Sequence, residues 1–300
     1  MAIGDLITAA RYNIIQSKVS NVLSTGSGNS GYGQALQSNQ VAQNQLIEDD
    51  HMNTLRLDIR KAFLHQNNSY PTLTIVSSAN TVDDTNATSN SYVTFETLAT
   101  NIETNRNTIS ASRLTTGNTA ASYIRTATWN GTRVGNFTVT FGSNNAARHF
   151  FNTGGAVQID MNISVSTTPK VNDWNSLFST NMGTLTFANL ASTRSGSGGT
   201  LSGSIAFQTL TTSFQTVFNT SAAGTYAANN FDIQARFSVA NTQIEFQITL
   251  NDAAVGNPNI DEDVNGNLNI NVNRRIANGA LADPITIAEP TFGAMSGSIL

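Results

Sequence analysis

The hydrophobic period of this chain changes once, from about 3.6 to about 2 residues near position 121, and that switch restricts the fold more than any other feature. Before it, Leu6, Ala10, Ile14, Ile15, Val19, Val22 and Leu23 recur at three- and four-residue steps, which predicts a helix over Thr8–Leu23 with Thr8 as its cap. Met52, Leu55, Ile59, Ala62 and Phe63 predict a second helix over Asp50–Gln66, with Glu48, Asp49 and Asp50 at its positive end. Tyr92, Phe95, Leu98, Ile102 and Ile109 predict a third over Ser91–Ser110, and between the last two a polar stretch holds one short strand at Thr72–Val76.

After the switch the residues alternate. Tyr123–Trp129 and Phe137–Phe141 flank Asn130-Gly131, a pair suited to a tight hairpin turn. Val157–Val165, Phe231–Val239, Ile244–Leu250 and Leu268–Val272 each read as strands with one dry and one wet face, with a weaker strand at Ile285–Ile287. Helical turns are expected at Asn145–Asn152 and Asn172–Ser179, and Ser192–Gly203 as an exposed flexible loop. The expected class is α+β: a helical region over 1–115, then a mainly antiparallel β-sandwich over 116–300.

Composition narrows the function. Only 11% of the 300 residues are charged, while Thr, Asn and Ser number 39, 38 and 29. The net charge is −4 and basic residues do not cluster, which argues against a phosphate-tracking nucleic-acid surface. With no cysteine, disulfides and thiolate metal sites are excluded. No apolar run reaches the length of a membrane span, and the first residues do not read as a secretory signal.

The motif search yields weak chemistry. Gly26-Ser27-Gly28-Asn29-Ser30-Gly31 matches G-x-G-x-x-G, but a helix precedes it where a dinucleotide site needs a strand, so it reads as a linker. Asp261–Asn269 follows a calcium-loop spacing but has Val272 where the bidentate Glu belongs, so a hairpin turning at Asn265-Gly266 is preferred. His51 and His65 lie about 21 Å apart on one helix, too far to share a metal. Trp129 and Trp174, with Tyr32, Tyr123 and Tyr226, form a sugar platform if exposed; core burial is the preferred reading.

Several segments together resemble a known group. LITAARYN (Leu6–Asn13), GSGNSGYGQAL (Gly26–Leu36), TWNG (Thr128–Gly131), ARHFFNTGG (Ala147–Gly155) and NDWNSLF (Asn172–Phe178) are similar to virion structural proteins of contractile-tailed phages infecting marine cyanobacteria. The resemblance implies a non-enzymatic tail, neck or fibre accessory component of the virion, assembled in host cytoplasm, with other virion proteins as partners. It implies no catalytic residue, cofactor or metal.

The expectation is therefore a self-associating virion protein whose helical region anchors it through Ile7, Ile14, Ile15, Leu55 and Ile59, chosen from amphipathicity alone. Two alternatives stand beside it: a carbohydrate-binding or carbohydrate-cleaving protein acting on host-surface glycan, and a capsid decoration protein.

Overall fold

The computed structural model describes residues 8–77, 91–254 and 263–300. The chain is α+β, with helices concentrated at the N-terminus and two antiparallel sheets after them. It divides into two compact units, the first comprising Met1–Thr115 with Arg148–Gly154 and Ala277–Ile287, and the second the remainder. The division begins at Thr115/Thr116, but two later segments return to the helical unit.

In the first unit, α1 (Ala9–Leu23), α2 (Asp49–Asn67) and α3 (Tyr92–Thr104) pack their apolar stripes together. Thr8 caps α1 by accepting from Arg11 N, and Ser91 caps α3 by accepting from Thr94 N at 3.2 Å. The Glu48 amide donates to His51 Nδ1 at 3.0 Å at the start of α2. Tyr12, Ile15, Val19, Leu55, Ile59, Tyr92 and Phe95 fill the interior. Arg11 lies across Tyr92 and forms a two-pronged ion pair with Glu96, Nε to Oε1 at 2.7 Å and Nη2 to Oε2 at 3.0 Å. The third helix ends at Thr104, earlier than expected, because the Asn105–Asn107 stretch turns: Thr108 N donates to Asn105 O at 2.8 Å.

Irregular segments of this unit are held by carboxamides that mimic a strand partner. Asn13 pairs with both backbone groups of Val41 (2.8 and 2.9 Å), and Asn53 with both of Val76 (2.8 and 3.0 Å). Gln34 does the same to Thr286 (2.8 and 3.2 Å). The strands expected at Thr72–Val76 and Ile285–Ile287 are therefore absent. Leu73, Val76 and Ile285 instead plug the helical core, and side-chain amides satisfy the backbone that a ladder would otherwise pair.

The second unit is a sandwich. One sheet has the order β1-β10-β3-β4-β5, formed by Leu114–Arg125, Asn267–Ala277, Ala156–Ser164, Leu185–Phe187 and Thr193–Arg194. The other runs β11-β2-β9-β8-β7-β6, formed by Thr291–Phe292, Gly131–Thr140, Gln243–Asp252, Asn230–Val239, Gln215–Ser221 and Thr200–Leu201, with β12 (Ser296–Gly297) also on β2. Most expected apolar positions face inward: Val157, Ile159, Met161 and Ile163 on β3; Phe231, Ile233 and Phe237 on β8; Ile244, Phe246, Ile248 and Leu250 on β9. Val165, beyond the end of β3, and Val239, the last residue of β8, are exposed instead. Phe187 meets Phe246 edge-on at 5.3 Å across the two layers.

Two turn assignments are overturned. Asn130-Gly131 closes no hairpin, because β1 and β2 lie in different sheets; Trp129 instead exchanges backbone hydrogen bonds with Val264 (3.1 and 2.8 Å) as the chain changes layer. Nor does Asn265-Gly266 join two paired strands. Gly266, at φ +104°, lies so close to the Ser164 carbonyl (2.5 Å from a Cβ built there) that a side chain does not fit, and it leads into β10, whose neighbours are β1 and β3. Asp261 and Glu262 of the calcium-type pattern lie outside the described residues.

Ser192–Gly203 is also not a free loop. It carries β5 and β6 from one sheet to the other, and its amides bond the edge of the sandwich: Ser195 N to Thr184 O, Gly196 N to Met182 O and Ser197 N to Thr180 O, at 2.9–3.1 Å. The expected helical turns are α4 (Asn144–Asn152) and α5 (Pro169–Asn175), the latter running into a wider turn over Ser176–Met182.

Candidate functional site

The five residues expected to anchor the chain separate sharply. Ile15, Leu55 and Ile59 are at most 1% exposed and belong to the helical unit's own core, so the stripe that suggested a docking face is consumed internally. Ile14 is 61% exposed and stays available to a partner. Ile7 lies outside the described residues.

Two of the segments singled out in the sequence, the glycine-rich stretch and ARHFFNTGG, meet each other. After α1 the chain reverses, and Tyr32 N, Gln34 N and Gly33 N donate to the carbonyls of Val22, Leu23 and Ser24 at 2.8–2.9 Å, capping the helix's last turn. Arg148 then donates to the carbonyls of Thr25 and Gly26 (2.8 and 3.1 Å), His149 Nε2 to Thr25 O (2.9 Å) and Asn152 to Gly31 O (3.2 Å). The glycine-rich segment is thus a clasped helix terminus, neither a nucleotide loop nor a slack linker. Three carbonyls of that loop face the donors of Arg148, His149 and Asn152. Thr153, next along, receives His65 Nε2 at 3.0 Å. Burial pushes the His65 imidazole down to about 4, opposed by the Thr153 carbonyl and aided by Arg113; burial also lowers His149.

In the sandwich, the outer faces carry a pre-paired lattice of mostly uncharged side chains, with Asp160 on the five-stranded sheet and the Arg236–Glu245 ion pair (2.7 Å) on the seven-stranded sheet set among them. On the five-stranded sheet Asn269 donates to Asn162 Oδ1 (2.7 Å) and Ser164 Oγ (3.0 Å), and Ser122 donates to Asn271 Oδ1 (3.0 Å). Asn271 and Asn273 each donate to one oxygen of Asp160, at 2.9 and 2.8 Å. On the seven-stranded sheet Gln247 donates to Asn136 (3.0 Å), Gln243 to Thr140 (3.0 Å) and Thr132 to Asn251 (3.0 Å). These side chains are already ordered by their strand neighbours, so covering them costs little further entropy, and the uncharged ones among them cost less to desolvate than charges do.

An open groove of about 400 Å³ lies in the five-stranded sheet, lined by Thr116, Gly117, Gln158, Thr184, Thr186 and Asn273, with Arg194 at its side. Arg194 is tied to backbone oxygens, Asn181 O at 2.9 Å and Gly199 O at 3.3 Å. No aromatic ring lines this groove. Trp129, Trp174, Tyr32, Tyr123 and Tyr226 are all buried, and Trp129 and Trp174 pack on each other with centroids 5.0 Å apart. They plug the core and form no sugar platform.

Sequence reasoning missed one cluster altogether. Lys170 and Asp252, both with fully buried side chains, form an ion pair at 2.9 Å inside the sandwich. Burial pushes the Asp252 carboxyl above its ordinary range, while Lys170, Trp174 and Asn229 pull it back. Lysine is scarce enough in this chain that its placement beside the NDWNSLF segment was the available signal.

Among the described residues no group of His, Asp and Glu is arranged to hold a metal ion, and no helix is long and apolar enough to cross a membrane. No protein-family model matches the chain, and neither the curated proteins nor the solved structures include a significant match.

Proposed function

We propose that this chain is a non-enzymatic structural component of a contractile-tailed phage particle, a tail, neck or fibre accessory protein that associates with copies of itself and with other virion proteins. The observation that carries this reading is the lattice of mostly uncharged side chains on both outer sheet faces, pre-paired across the strands. Such a surface suits repeated subunit contacts, because it offers many hydrogen-bonding groups and requires few charges to be buried. The sequence resemblance points the same way, and two of the resembling segments, Gly26–Leu36 and Ala147–Gly155, meet in a structural clasp. Of the expected anchoring residues, Ile14 on α1 is exposed and offers an apolar contact to a partner.

The test is immunogold labelling of particles purified from infected cells, with antibody to residues 121–300. Label at the neck, tail or fibres supports an appendage role, and label over the head supports a capsid decoration protein instead. Absence from intact particles, with abundant protein in the lysate, overturns the structural reading. Ile14→Ala is expected to weaken self-association without moving the melting temperature.

A second reading, recognition of host-surface glycan, is favoured by the hydroxyl- and amide-lined groove beside Arg194. It predicts that Asn273→Ala abolishes retention on host polysaccharide, and no retention of the full chain removes it.

A further inference from the structure

Along the β8–β9 ladder the core-facing pairs are Phe231 with Leu250, Ile233 with Ile248, Ala235 with Phe246 and Phe237 with Ile244. Asn230 faces Asn251, so one rung further the same register sets Asn229 opposite Asp252, on the inward face. Both are buried, at 0% and 3% exposure. An apolar ladder thus ends in a carboxamide facing a carboxylate, inside the protein.

Lys170 enters the same place from α5. Its Nζ is 2.9 Å from Asp252 Oδ2 and 3.4 Å from the Ala254 carbonyl, while the amide of Ala254 donates to Asn229 Oδ1 at 2.8 Å. Asn229 Nδ2 and Asp252 Oδ1 are buried without a well-formed hydrogen bond, as is Trp174 Nε1 beside them. An amine, a carboxyl and a carboxamide therefore share one water-poor pocket, and the ion pair alone leaves part of it unsatisfied.

We propose that the sandwich closes an intramolecular isopeptide bond, in which Lys170 Nζ is acylated by the side-chain carbonyl carbon of Asn229 and Asp252 carries the protons. The ammonium of Lys170 passes a proton to the Asp252 carboxylate, leaving a neutral amine. The amine's lone pair attacks Asn229 Cγ and forms the new C–N bond, with the Asp252 carboxylic acid donating to the developing oxyanion. Asp252 then takes the second proton from Nζ and delivers it to Nδ2, and the old C–N bond breaks. In balance, one ammonium and one carboxamide give one secondary amide and one ammonium ion, with no oxidant or reductant. Fixed neighbours in a dry site replace a bimolecular encounter. Burial shifts the Asp252 carboxyl upward, the direction that favours its taking a proton from Lys170. The bond ties α5 to the start of β8 and encloses β4–β7, a covalent closure in a chain without cysteine.

The test is the mass of the full-length protein measured under denaturing conditions, followed by peptide mapping. The expected result is a chain lighter than its sequence by one ammonia, with a proteolytic peptide joining Lys170 to Asn229, and full sequence mass in Asp252→Ala. A full-mass wild-type protein overturns the proposal. So does loss of one water with Lys170 joined to Asp252, or loss of ammonia without a joined peptide. Where Asp252→Ala does not fold, the wild-type mass and map decide alone.

Discussion

Asp58 offers the sharpest test of how the helical unit is held together. This residue of α2 is 1% exposed and receives Gln37 N (3.1 Å to each oxygen), Ser38 N (2.8 Å) and Ser38 Oγ (2.7 Å). One carboxylate thus anchors a loop that contains no secondary structure of its own. Asp58→Ala leaves the buried Ser38 N–H and hydroxyl without their acceptor and releases the half-buried Gln37 N–H. At about 1–3 kcal/mol for each buried donor left unmade, the loss is about 4 kcal/mol. Ser38→Ala removes only the hydroxyl bond and leaves both backbone donors paired, for a loss of about 1 kcal/mol. The three longest helices belong to this unit, and both tryptophans to the other, so circular dichroism at 222 nm during urea titration reads the right transition. With a urea slope of about 2 kcal/mol per molar, Asp58→Ala lowers the midpoint by about 2 M and Ser38→Ala by about 0.5 M. Equal shifts in the two variants, or an unmoved midpoint in Asp58→Ala, refute the reasoning that backbone donors carry the anchorage.

Three further outcomes are expected. His65 is depressed to about 4 in the folded chain from its ordinary value of 6.5, so the unfolded state binds the extra proton between those values. Stability is complete above pH 6.5 and falls as pH drops toward 4, by about 3 kcal/mol at the limit; urea midpoints at pH 7 and pH 5 detect it, and His65→Gln flattens the slope. Gly28→Ala costs about 1 kcal/mol, since Gly28 has φ +56° with open space around it. Gly31→Ala prevents folding of the helical unit because its Cβ runs into the Thr25 carbonyl, and thermal melts of the two separate a steric account from a nucleotide-loop account, which weighs both glycines alike. Val165 is 86% exposed at φ +71°, a strained conformation for a β-branched residue, so Val165→Gly raises stability by about 1 kcal/mol in the same titration.

The elements that sequence reasoning located were those whose own side chains carry the signal. Helix α1 announces itself by its stripe and by Thr8, and β3, β8 and β9 by strict alternation, because a period of about 3.6 or about 2 is a local property of the chain. Partnership was illegible. Asn130-Gly131 has the chemistry of a hairpin turn, yet the strands it separates enter different sheets, a choice made by what Trp129 and Val264 pack against. The stripe of α1 and α2 is real, but whether it meets another molecule or the same unit depends on the third helix and on Ile285, 200 and more residues away.

The carboxamides make the same point most fully. The abundance of Asn and the low charge are visible in composition whatever the fold. That Asn13, Gln34 and Asn53 each clamp one distant backbone residue, and that Asn229 faces Asp252 with Lys170 beside it, is decided only when strands and helices are in place. Periodicity is written along the chain and survives in any environment, whereas hydrogen-bond partners and buried charge pairs depend on distance in space, which the sequence order of residues does not encode.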